Sequence, residues 1–350
     1  MSTGPAGDGY TSRAHRSRHR CNLGSALFIA LAAALTTLSI GAVTIPPGQV
    51  VSALLGFADP QTTLVVGVLR LPRVLTGLAV GAALGLAGAL TQTVTRNPLA
   101  SPGIIGVTSG ASVGAVAVAM AAGSAGGVSG PWAALGMPTA AALGSITATV
   151  TVIAVARTPE RVVLVGVGMT VAAQSLVAWM LTWGNAQDAA RATTWLTGSL
   201  GGSGWTLLLP VLVVLLIAVP VIGAIDRDLA VIPLGDDLAS GLGIDVTKVR
   251  WTALLTAAVL AAAAVAAAGP VAFVGLVAPR LAARLWDAPR PPALGSAVCG
   301  AALVTLSDLI ARNLFSWLGI GVIELPVGII TAAVGGVYLV SLLTSRRIAA

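Results

Sequence analysis

Arginines at three positions carry the chemistry that is easiest to recognise in this chain. Arg70 and Arg73 lie one helical turn apart around Pro72, where a long apolar stretch begins, and Arg312 lies near the C-terminal end. A guanidinium group binds a carboxylate through two parallel hydrogen bonds, so such residues suit the recognition of acidic side chains. Exposed arginines are often only solvated, and arginines that flank a membrane span often act as anchors, so both alternatives stay open.

The polar segment 226–250 is a second place where residue types and spacing indicate a contact surface. Within it, LGDDLASGLGI predicts a short helix that Asp236 or Asp237 can cap and Gly243 can end. Leu238 and Leu242 lie one turn apart on that helix. A helix this short has little intrinsic stability and favours a surface on which to pack, although a loop helix without a partner remains the alternative.

Enzyme chemistry finds no support in the sequence. His15 and His19 lie in the polar N-terminal stretch, where a solvated basic tail is a better interpretation than a metal pair. Cys21 and Cys299 form neither a disulfide framework nor a metal motif. A phosphate-binding loop is absent, because Lys248, the only lysine, does not follow a glycine. We therefore expect no enzyme activity, no bound cofactor and no metal site in this chain.

Ion-coupled transport is disfavoured as well. Of the 12 acidic residues, only Asp308 and Glu324 lie close to the predicted membrane region, which is fewer than an ion relay is expected to need. An ATPase on a separate chain is then the consistent source of energy.

The elements that must position these residues are membrane-spanning helices. Hydrophobic residues make up 56% of the chain, charged residues 9%, and the mean hydropathy is +0.95, which is more apolar than a soluble core requires. We predict an all-α polytopic membrane protein with about ten spans of about 20 residues. These begin near Ser25, Leu64, Ile104, Trp132, Val162, Trp205, Trp251, Val271, Ala293 and Leu325. Because Gly269-Pro270 interrupts one apolar run, a count of nine spans remains open.

Positive charge orients the predicted helices. With ten spans and both termini in the cytoplasm, all but four of the 19 lysines and arginines lie on the cytoplasmic side. The net charge of +7 thus reflects membrane orientation and not a nucleic-acid surface. Residues 1–22 are predicted to form a disordered basic cytoplasmic tail, and residues 23–347 a transmembrane domain whose loop 226–250 faces the cytoplasm. The four exceptions are Arg70, Arg73, Arg191 and Arg312.

Two further patterns concern helix packing and a route through the membrane. Glycines recur at every fourth position from Gly77 to Gly85 and again from Gly106 to Gly114, and we interpret both stripes as packing faces. The fifth span offers soft or polar side chains for a solute pathway, although polar groups equally hold helices together. These pathway candidates are Met169, Thr170, Gln174, Ser175 and Met180.

The order of motifs along the chain resembles that of one known family. It begins with R-L-P-R at Arg70, the first glycine stripe, Gln92, R-N-P-L-A-x-P at Arg96 and the second glycine stripe. Later motifs are WLTGSL, LGDDLASGLGI, GPVAFVGLVAPRLAARL, and DLIAR followed by ELPVGIITA. The series covers about residues 45–345 and is similar to that of the FecCD family, the permease subunits of bacterial iron-siderophore and cobalamin importers.

That resemblance implies a permease subunit of an ATP-binding cassette (ABC) importer in the cytoplasmic membrane, with the permease fold of this importer type. It implies a second permease chain of the same or a related sequence, two ABC ATPase subunits that use ATP and Mg²⁺, and an extracytoplasmic substrate-binding protein. Ferric siderophores are the expected substrate, and import of cobalamin or haem by the same architecture is the alternative. An ion-coupled carrier or an exporter that acts alone is the alternative from another class.

The resemblance also implies roles for individual residues. Arg70, Arg73 and Arg312 match positions at which the family contacts acidic residues on the two lobes of the binding protein. The helix in loop 226–250 matches the family's coupling helix, which sits in a groove of the ATPase, although Ser240-Gly241 departs from the pattern toward a more flexible helix. The predicted ATPase contact comprises Gly235, Asp236, Asp237, Ala239, Leu242, Gly243 and Arg96.

Overall fold

The computed structural model describes residues 24–25, 27–41, 44–124, 131–321 and 323–347, and the tail predicted for residues 1–22 lies outside these ranges. Within them the chain is helical and contains no β-strand, as predicted. The helices are α1 Leu27–Ser39, α2 Pro47–Leu54, α3 Pro60–Thr95, α4 Val107–Ser124, α5 Pro131–Ala156, α6 Val162–Trp183, α7 Ala186–Leu196, α8 Trp205–Val231, α9 Asp236–Gly241, α10 Val246–Ala268, α11 Val274–Leu285, α12 Ala293–Trp317 and α13 Val327–Arg347.

In the described part of the chain, six helices are long and apolar enough to cross a membrane, namely α3, α5, α6, α8, α10 and α12. The other four predicted spans also fall on helices, but α1, α4 and α13 contain shorter apolar stretches, and α11 has only 12 residues. The membrane fold is thus confirmed, whereas the count of ten spans and the cytoplasmic position of both termini stay predictions.

Helix boundaries differ from the sequence prediction where side chains cap helices. α10 begins at Val246 instead of near Trp251, because Asp245 Oδ1 accepts a hydrogen bond from the Lys248 N–H at 2.9 Å. α2 and α7 were not predicted, since neither carries an apolar run long enough to indicate a span. In α7, the Asn185 side chain caps the first turn.

A break separates α10 from α11, as the Gly269-Pro270 pair predicts. Gly269 has φ +70° and Phe273 has φ +63°, so the backbone leaves helical geometry twice before α11 begins. For this reason α11 starts at Val274 and not near Val271. The result is a half-length helix whose first residues are buried in the protein, an arrangement that transporters often use where they hold solutes.

The glycines of α3 allow neighbouring backbones to approach this largely buried helix closely. Gly81 lies against Gly300 and Gly85 against Ser296 of α12, so a methyl group at either glycine would overlap a main-chain carbonyl. The second stripe packs α4 on α5 through Gly144 in the same manner. These contacts confirm that both glycine stripes are packing faces.

α6 and α8 lie at the periphery of the bundle. Only 22% of the apolar segment of either helix is buried, and large aliphatic side chains cover their exposed faces. Apolar faces of this extent belong against lipid or against another protein chain.

A single π-helical turn, Val65–Arg70, interrupts α3. Within it the Leu71 N–H donates to the Val66 carbonyl five residues back, in place of the carbonyl four residues back in an α-helix. Ordinary α-helical geometry resumes at Leu71 and includes Pro72, which lacks an N–H and fits a position where that bond is not needed. The turn places Arg70 at its last position and Arg73 in the first turn that follows.

Candidate functional site

Two of the three arginines singled out in the sequence, Arg73 and Arg312, lie around one buried carboxylate, that of Asp308. Arg73 forms a two-pronged ion pair with Asp308, with Nη2 at 2.9 Å from Oδ1 and Nε at 3.2 Å from Oδ2. Arg312 Nε lies 3.5 Å from Asp308 Oδ2, and Arg73 Nη1 donates to Glu324 Oε2 at 2.9 Å. The Asp308 side chain is 3% exposed and that of Glu324 is 53% exposed. Glu324 is therefore the accessible edge of an otherwise buried ion network.

Arg70 and Arg312 join the end of α1 to this arginine cluster. Arg70 Nη1 donates to the carbonyls of Leu38 at 2.6 Å and Ser39 at 3.2 Å, and Arg312 Nη2 donates to that of Thr37 at 2.9 Å. These carbonyls belong to the last turn of α1, where unpaired acceptors and the helix dipole favour positive charge. All three arginine side chains are largely buried and bonded within the chain, and their contact with a binding protein stays a prediction.

A cavity of about 710 Å³ lies among α3, α4, α6, α7, α10 and α11. Among the described residues that line it none is charged, and aliphatic side chains cover most of the wall. Its volume and its largely apolar wall lie in the range of small-molecule sites in proteins. Its hydroxyl and amide groups come from Ser101, Thr108, Ser109, Ser112, Thr170 and Gln174.

The cavity contains two of the five side chains predicted for the pathway on the fifth span, α6. Thr170 and Gln174 line it, whereas Met169, Ser175 and Met180 are not among its lining residues. Ser175 donates to a carbonyl one turn back at 3.0 Å, and both methionines pack against hydrophobic clusters. The hydroxyls of α4 were missed, because the sequence does not show which face of α4 meets α6.

Three motifs that are distant in the sequence meet beside this cavity. Gly198 of WLTGSL, with φ +75°, packs against the Pro270 carbonyl at the α10–α11 break. The Gly328 N–H donates to the Gly198 carbonyl at 3.1 Å, and the Ser199 N–H donates to the Ala268 carbonyl at 2.8 Å. A side chain at position 198 would be strained and would overlap its neighbours. The three motifs thus hold in place the break that shapes the cavity wall.

α9 is the short helix predicted in segment 226–250, but its start differs from the prediction. Gly235, at φ +121°, occupies the N-cap position, and neither Asp236 nor Asp237 caps the helix through its side chain. The capping prediction is therefore wrong, because the Asp236 carboxylate is bonded to two arginines instead.

The C-terminal end of α9 follows the prediction. Gly243, at φ +81°, donates to the Ser240 carbonyl and the Ile244 N–H donates to the Ala239 carbonyl at 3.1 Å, which together form a Schellman cap. Ala239 is buried beneath the helix, which fixes one side of α9 to the protein. Its other side and flanks carry three leucines that are 51–66% exposed: Leu234, Leu238 and Leu242.

An ion network connects α9 with two other parts of the chain. Asp236 Oδ1 accepts hydrogen bonds from Arg96 Nη2 and from Arg250 Nη2, the latter at 2.9 Å. Arg250 Nη1 donates to Glu160 Oε1 at 2.6 Å, and Arg96 Nε donates to the Ile232 carbonyl at 2.9 Å. The Arg250 side chain is 9% exposed. Arg96 therefore bonds to the α9 region of its own chain, and its contact with an ATPase stays a prediction.

The Glu160 carboxyl is well suited to remain charged in this network. Its pKa lies below the ordinary value because its own backbone N–H, the Thr158 hydroxyl and the Arg250 guanidinium all favour the carboxylate, and they outweigh the opposing effect of partial burial.

A helical membrane bundle with an uncharged cavity, a buried arginine cluster near the start of α3 and an exposed leucine helix near its end defines a polytopic membrane permease. The chain belongs to the FecCD transport family, whose family model matches residues 28–345. The family resemblance noted in the sequence is thereby confirmed, and the protein is a multi-pass transport subunit of the cytoplasmic membrane.

Individual relatives and a solved structure agree with this assignment. The ferric enterobactin permease FepG of Escherichia coli K12 is 34% identical over 309 residues, which are 87% of this chain and 90% of FepG. The iron(3+)-hydroxamate permease FhuG of Bacillus subtilis 168 is 35% identical over 315 residues, 88% and 91% of the two chains. The vitamin B12 permease BtuC of Vibrio cholerae is 34% identical over 279 residues, 76% and 78%. An inward-facing structure of a metal-chelate type ABC transporter matches with TM-score 0.79 and 27% identity over 92% of this chain and 98% of that one.

Proposed function

We propose that this chain is the membrane-spanning subunit of an ATP-driven importer that moves ferric siderophores across the cytoplasmic membrane by alternating access. The observation that carries the proposal is α9, which a Schellman motif caps at its C-terminal end, which is bonded to Arg96 and Arg250 through Asp236, and which exposes leucines on its other side. Because the chain has no phosphate-binding loop, ATP-driven transport needs a contact with a separate ATPase chain, and this leucine face is suited to one.

The proposed assembly contains this chain, a second permease chain of the same or a related sequence, two ABC ATPase subunits and an extracytoplasmic substrate-binding protein. ATP and Mg²⁺ are used on the ATPase subunits, and no nucleic acid takes part. Ten spans with both termini in the cytoplasm place α9 and the ion network of Asp236 on the ATPase side and the arginine cluster on the opposite side.

The proposed substrate follows from two observations. FepG and FhuG are named for the transport of ferric enterobactin and iron(3+)-hydroxamate. The cavity wall supports a chelated cargo, since a bare ferric ion would favour carboxylate ligands and none lines the cavity in the described residues.

Glu324 supports docking of the binding protein at the arginine cluster. Arg73 uses one edge of its guanidinium for the buried Asp308 and the other for Glu324, which is 53% exposed. An acidic side chain of a binding protein can replace Glu324 there and leave the buried pair intact. Arg70 and Arg312 hold the cluster in position through α1.

Cobalamin is the second candidate substrate, because BtuC of Vibrio cholerae is similar to this chain and is named for vitamin B12 import. Haem import by the same architecture is a further variant. An ion-coupled carrier or exporter that acts alone is disfavoured, because Asp308, the buried acidic residue nearest to such a role, is neutralised by Arg73 and Arg312.

The test of substrate is energy-dependent uptake of labelled ferric enterobactin, a ferric hydroxamate, cobalamin and haem in cells with and without the gene. We expect loss of uptake of a ferric chelate only. If cobalamin or haem uptake were lost while iron uptake stayed intact, the chain would still be an importer subunit, but the proposed substrate would be wrong.

The ATPase contact can be tested by placing a charged side chain in the leucine face formed by Leu234, Leu238 and Leu242. We expect Leu238→Glu to abolish co-purification of the ATPase subunits and transport, because a buried unpaired carboxylate disfavours an apolar interface. Thr247→Glu is the matched control, since Thr247 is exposed in the first turn of α10 and lies outside the leucine face. Equal loss in both variants would contradict a specific contact at α9.

A further inference from the structure

We infer that Arg250 transmits movement of α9 to the cavity wall, by joining Asp236 at the start of α9 to Glu160 at the entrance of α6. The inference rests on the proposed function, because it takes α9 to be the surface on which an ATPase acts. Arg250, Asp236 and Glu160 are positioning residues in this role, since none of them lines the cavity.

Arg250 occupies a bridging position between two parts of the chain. Its guanidinium holds two carboxylates from separate parts of the chain, Glu160 through Nη1 at 2.6 Å and Asp236 through Nη2 at 2.9 Å. A planar guanidinium presents its N–H groups at fixed angles, so the two carboxylates keep a defined relation to each other. The Arg250 side chain is 9% exposed and its Nε has no hydrogen-bond partner among the described residues. The charge of Arg250 is thus balanced by these two carboxylates.

Glu160 is connected to the cavity through α6. Glu160 lies in the 3₁₀ turn Pro159–Arg161, which continues directly into α6 at Val162. Thr170 and Gln174 of the same helix line the cavity, and the first of them lies about 15 Å along the axis from Glu160 at the rise of a helix. Because a helix moves as a rigid rod over this distance, displacement of Glu160 displaces the cavity wall.

A second connection, or arm, leads from Asp236 to the same cavity wall, in addition to the first arm through Arg250 and Glu160. Arg96 bonds to Asp236 and to the Ile232 carbonyl, and it begins the connection between α3 and α4 that contributes Ser101 to the cavity. Farther along this connection, the Ile104 carbonyl packs against Gly166 of α6 so closely that a methyl group at position 166 would overlap it. The two arms therefore end on parts of the wall that touch each other.

The carboxylates of this network are poised to separate and rejoin. Asp236 and Glu160 are 47% and 60% exposed, so water can replace Arg250 at either carboxylate when α9 moves. Coupling between distant sites is carried by ion-pair networks that have two discrete arrangements, and in this inference the second arrangement is the one in which water replaces Arg250 at one of the two partly exposed carboxylates.

The experiment uses the complete complex of permease and ATPase chains in lipid nanodiscs. Gln174→Cys, in a background with Cys21→Ser and Cys299→Ser, reports the accessibility of the cavity to a maleimide without nucleotide and with ATP plus vanadate. We expect the two labelling rates to differ by about tenfold with the network intact. Arg250→Gln and Glu160→Gln should each reduce the ratio to about twofold or less, while the ATPase subunits still co-purify and hydrolyse ATP.

Arg290→Gln is the matched control. It breaks another arginine–aspartate pair, with Asp226 at 2.8 Å, that does not connect α9 with α6, and it should leave the labelling ratio unchanged. Glu160→Gln combined with Arg250→Gln should have no larger effect than either alone, because both remove the Arg250–Glu160 link.

The outcomes separate the inference from the proposed function. Failure of the ATPase subunits to co-purify with the parent chain would contradict the proposed function itself. A parent complex that hydrolyses ATP but shows no change in labelling at position 174, or variants that retain the tenfold ratio, would overturn only the role of Arg250. Additive losses in the double variant would also overturn it.

Discussion

At the scale of single residues, Asp308 decides the character of the arginine cluster. It is 3% exposed and pairs with Arg73 and Arg312, so it turns inward two side chains that the sequence places on the outer face. The sequence could locate the arginines, because spacing around Pro72 is local information. It could not give their direction, since Arg73 and Asp308 are separated by 235 positions.

We expect Asp308→Asn to destabilise the protein by about 3–5 kcal/mol, because two buried guanidinium groups would lose their shared counter-charge. Glu324→Gln, at a side chain that is 53% exposed, should change stability by less than about 1 kcal/mol. Thermal unfolding of the detergent-purified protein measures both. An ion-coupled carrier would give a different result, in which Asp308→Asn keeps its stability and loses only the ion dependence of transport.

The pKa of Glu160 predicts how the network of Asp236 responds to acid. A carboxyl with a lowered pKa in the folded protein contributes stability above its unfolded value, and that contribution disappears as the pH falls through the folded value. The ordinary value is 4.5, so the contribution is present at neutral pH and is lost in acid below that value. We expect the difference in melting temperature between the parent and Glu160→Gln to be constant from neutral pH down to about pH 5 and to shrink below about pH 4. A difference that changes near neutral pH would contradict this assignment.

At the scale of elements, local rules predicted what local contacts determine. The Schellman stop at Gly243 and the break at Gly269 were predicted, because each depends on a few neighbouring residues. The start of α9 was not, because the Asp236 carboxylate is held by Arg96, which is 140 positions away. α7 was missed because its polar, amphipathic sequence gives no span signal.

Packing of α3 on α12 gives an element-scale prediction. We expect Gly81→Ala to destabilise the protein by about 1–3 kcal/mol, because the added methyl group overlaps the Gly300 carbonyl and the two backbones must separate. Gly223→Ala is the control within α8, where a methyl group meets nothing within 4 Å, and it should be neutral or stabilising by up to about 1 kcal/mol. Melting in detergent compares the two variants. If Gly81→Ala has the same melting temperature as the parent protein, the packing of α3 on α12 does not require this close contact.

At the scale of the whole molecule, hydropathy predicted the class of fold and charge predicted an orientation. The cavity could not be predicted, because its wall combines side chains from Leu84 in α3 to Leu276 in α11 whose meeting depends on how six helices pack. Only Thr170 and Gln174 were anticipated, and they share a helix that the sequence had already marked as partly polar.

The predicted orientation of the chain in the membrane can be tested by cysteine labelling. With both termini in the cytoplasm, Thr193 of α7 lies outside and Thr158, before α6, lies inside, and both are exposed. In a background with Cys21→Ser and Cys299→Ser, a membrane-impermeant maleimide should label Thr193→Cys in intact spheroplasts and Thr158→Cys only after permeabilisation. The reverse pattern would invert the orientation and place α9 on the outer face.

The π-helical turn Val65–Arg70 gives the chain a site where its length can change. Such a turn accommodates one residue more than an α-helix of equal span, so deletion of a single residue there would restore ordinary α-helical bonding. Gly67 is suited to removal, because a methyl group at that position would meet nothing within 4 Å. Its deletion would leave both flanking segments, Pro60–Leu64 and Leu71–Thr95, with the faces that they now present to their neighbours, because the wide turn absorbs the angle of one residue. In an alignment of related permeases, a gap of one residue at this point would then mark a π-helical turn replaced by an α-helical turn, and the cavity would be unchanged.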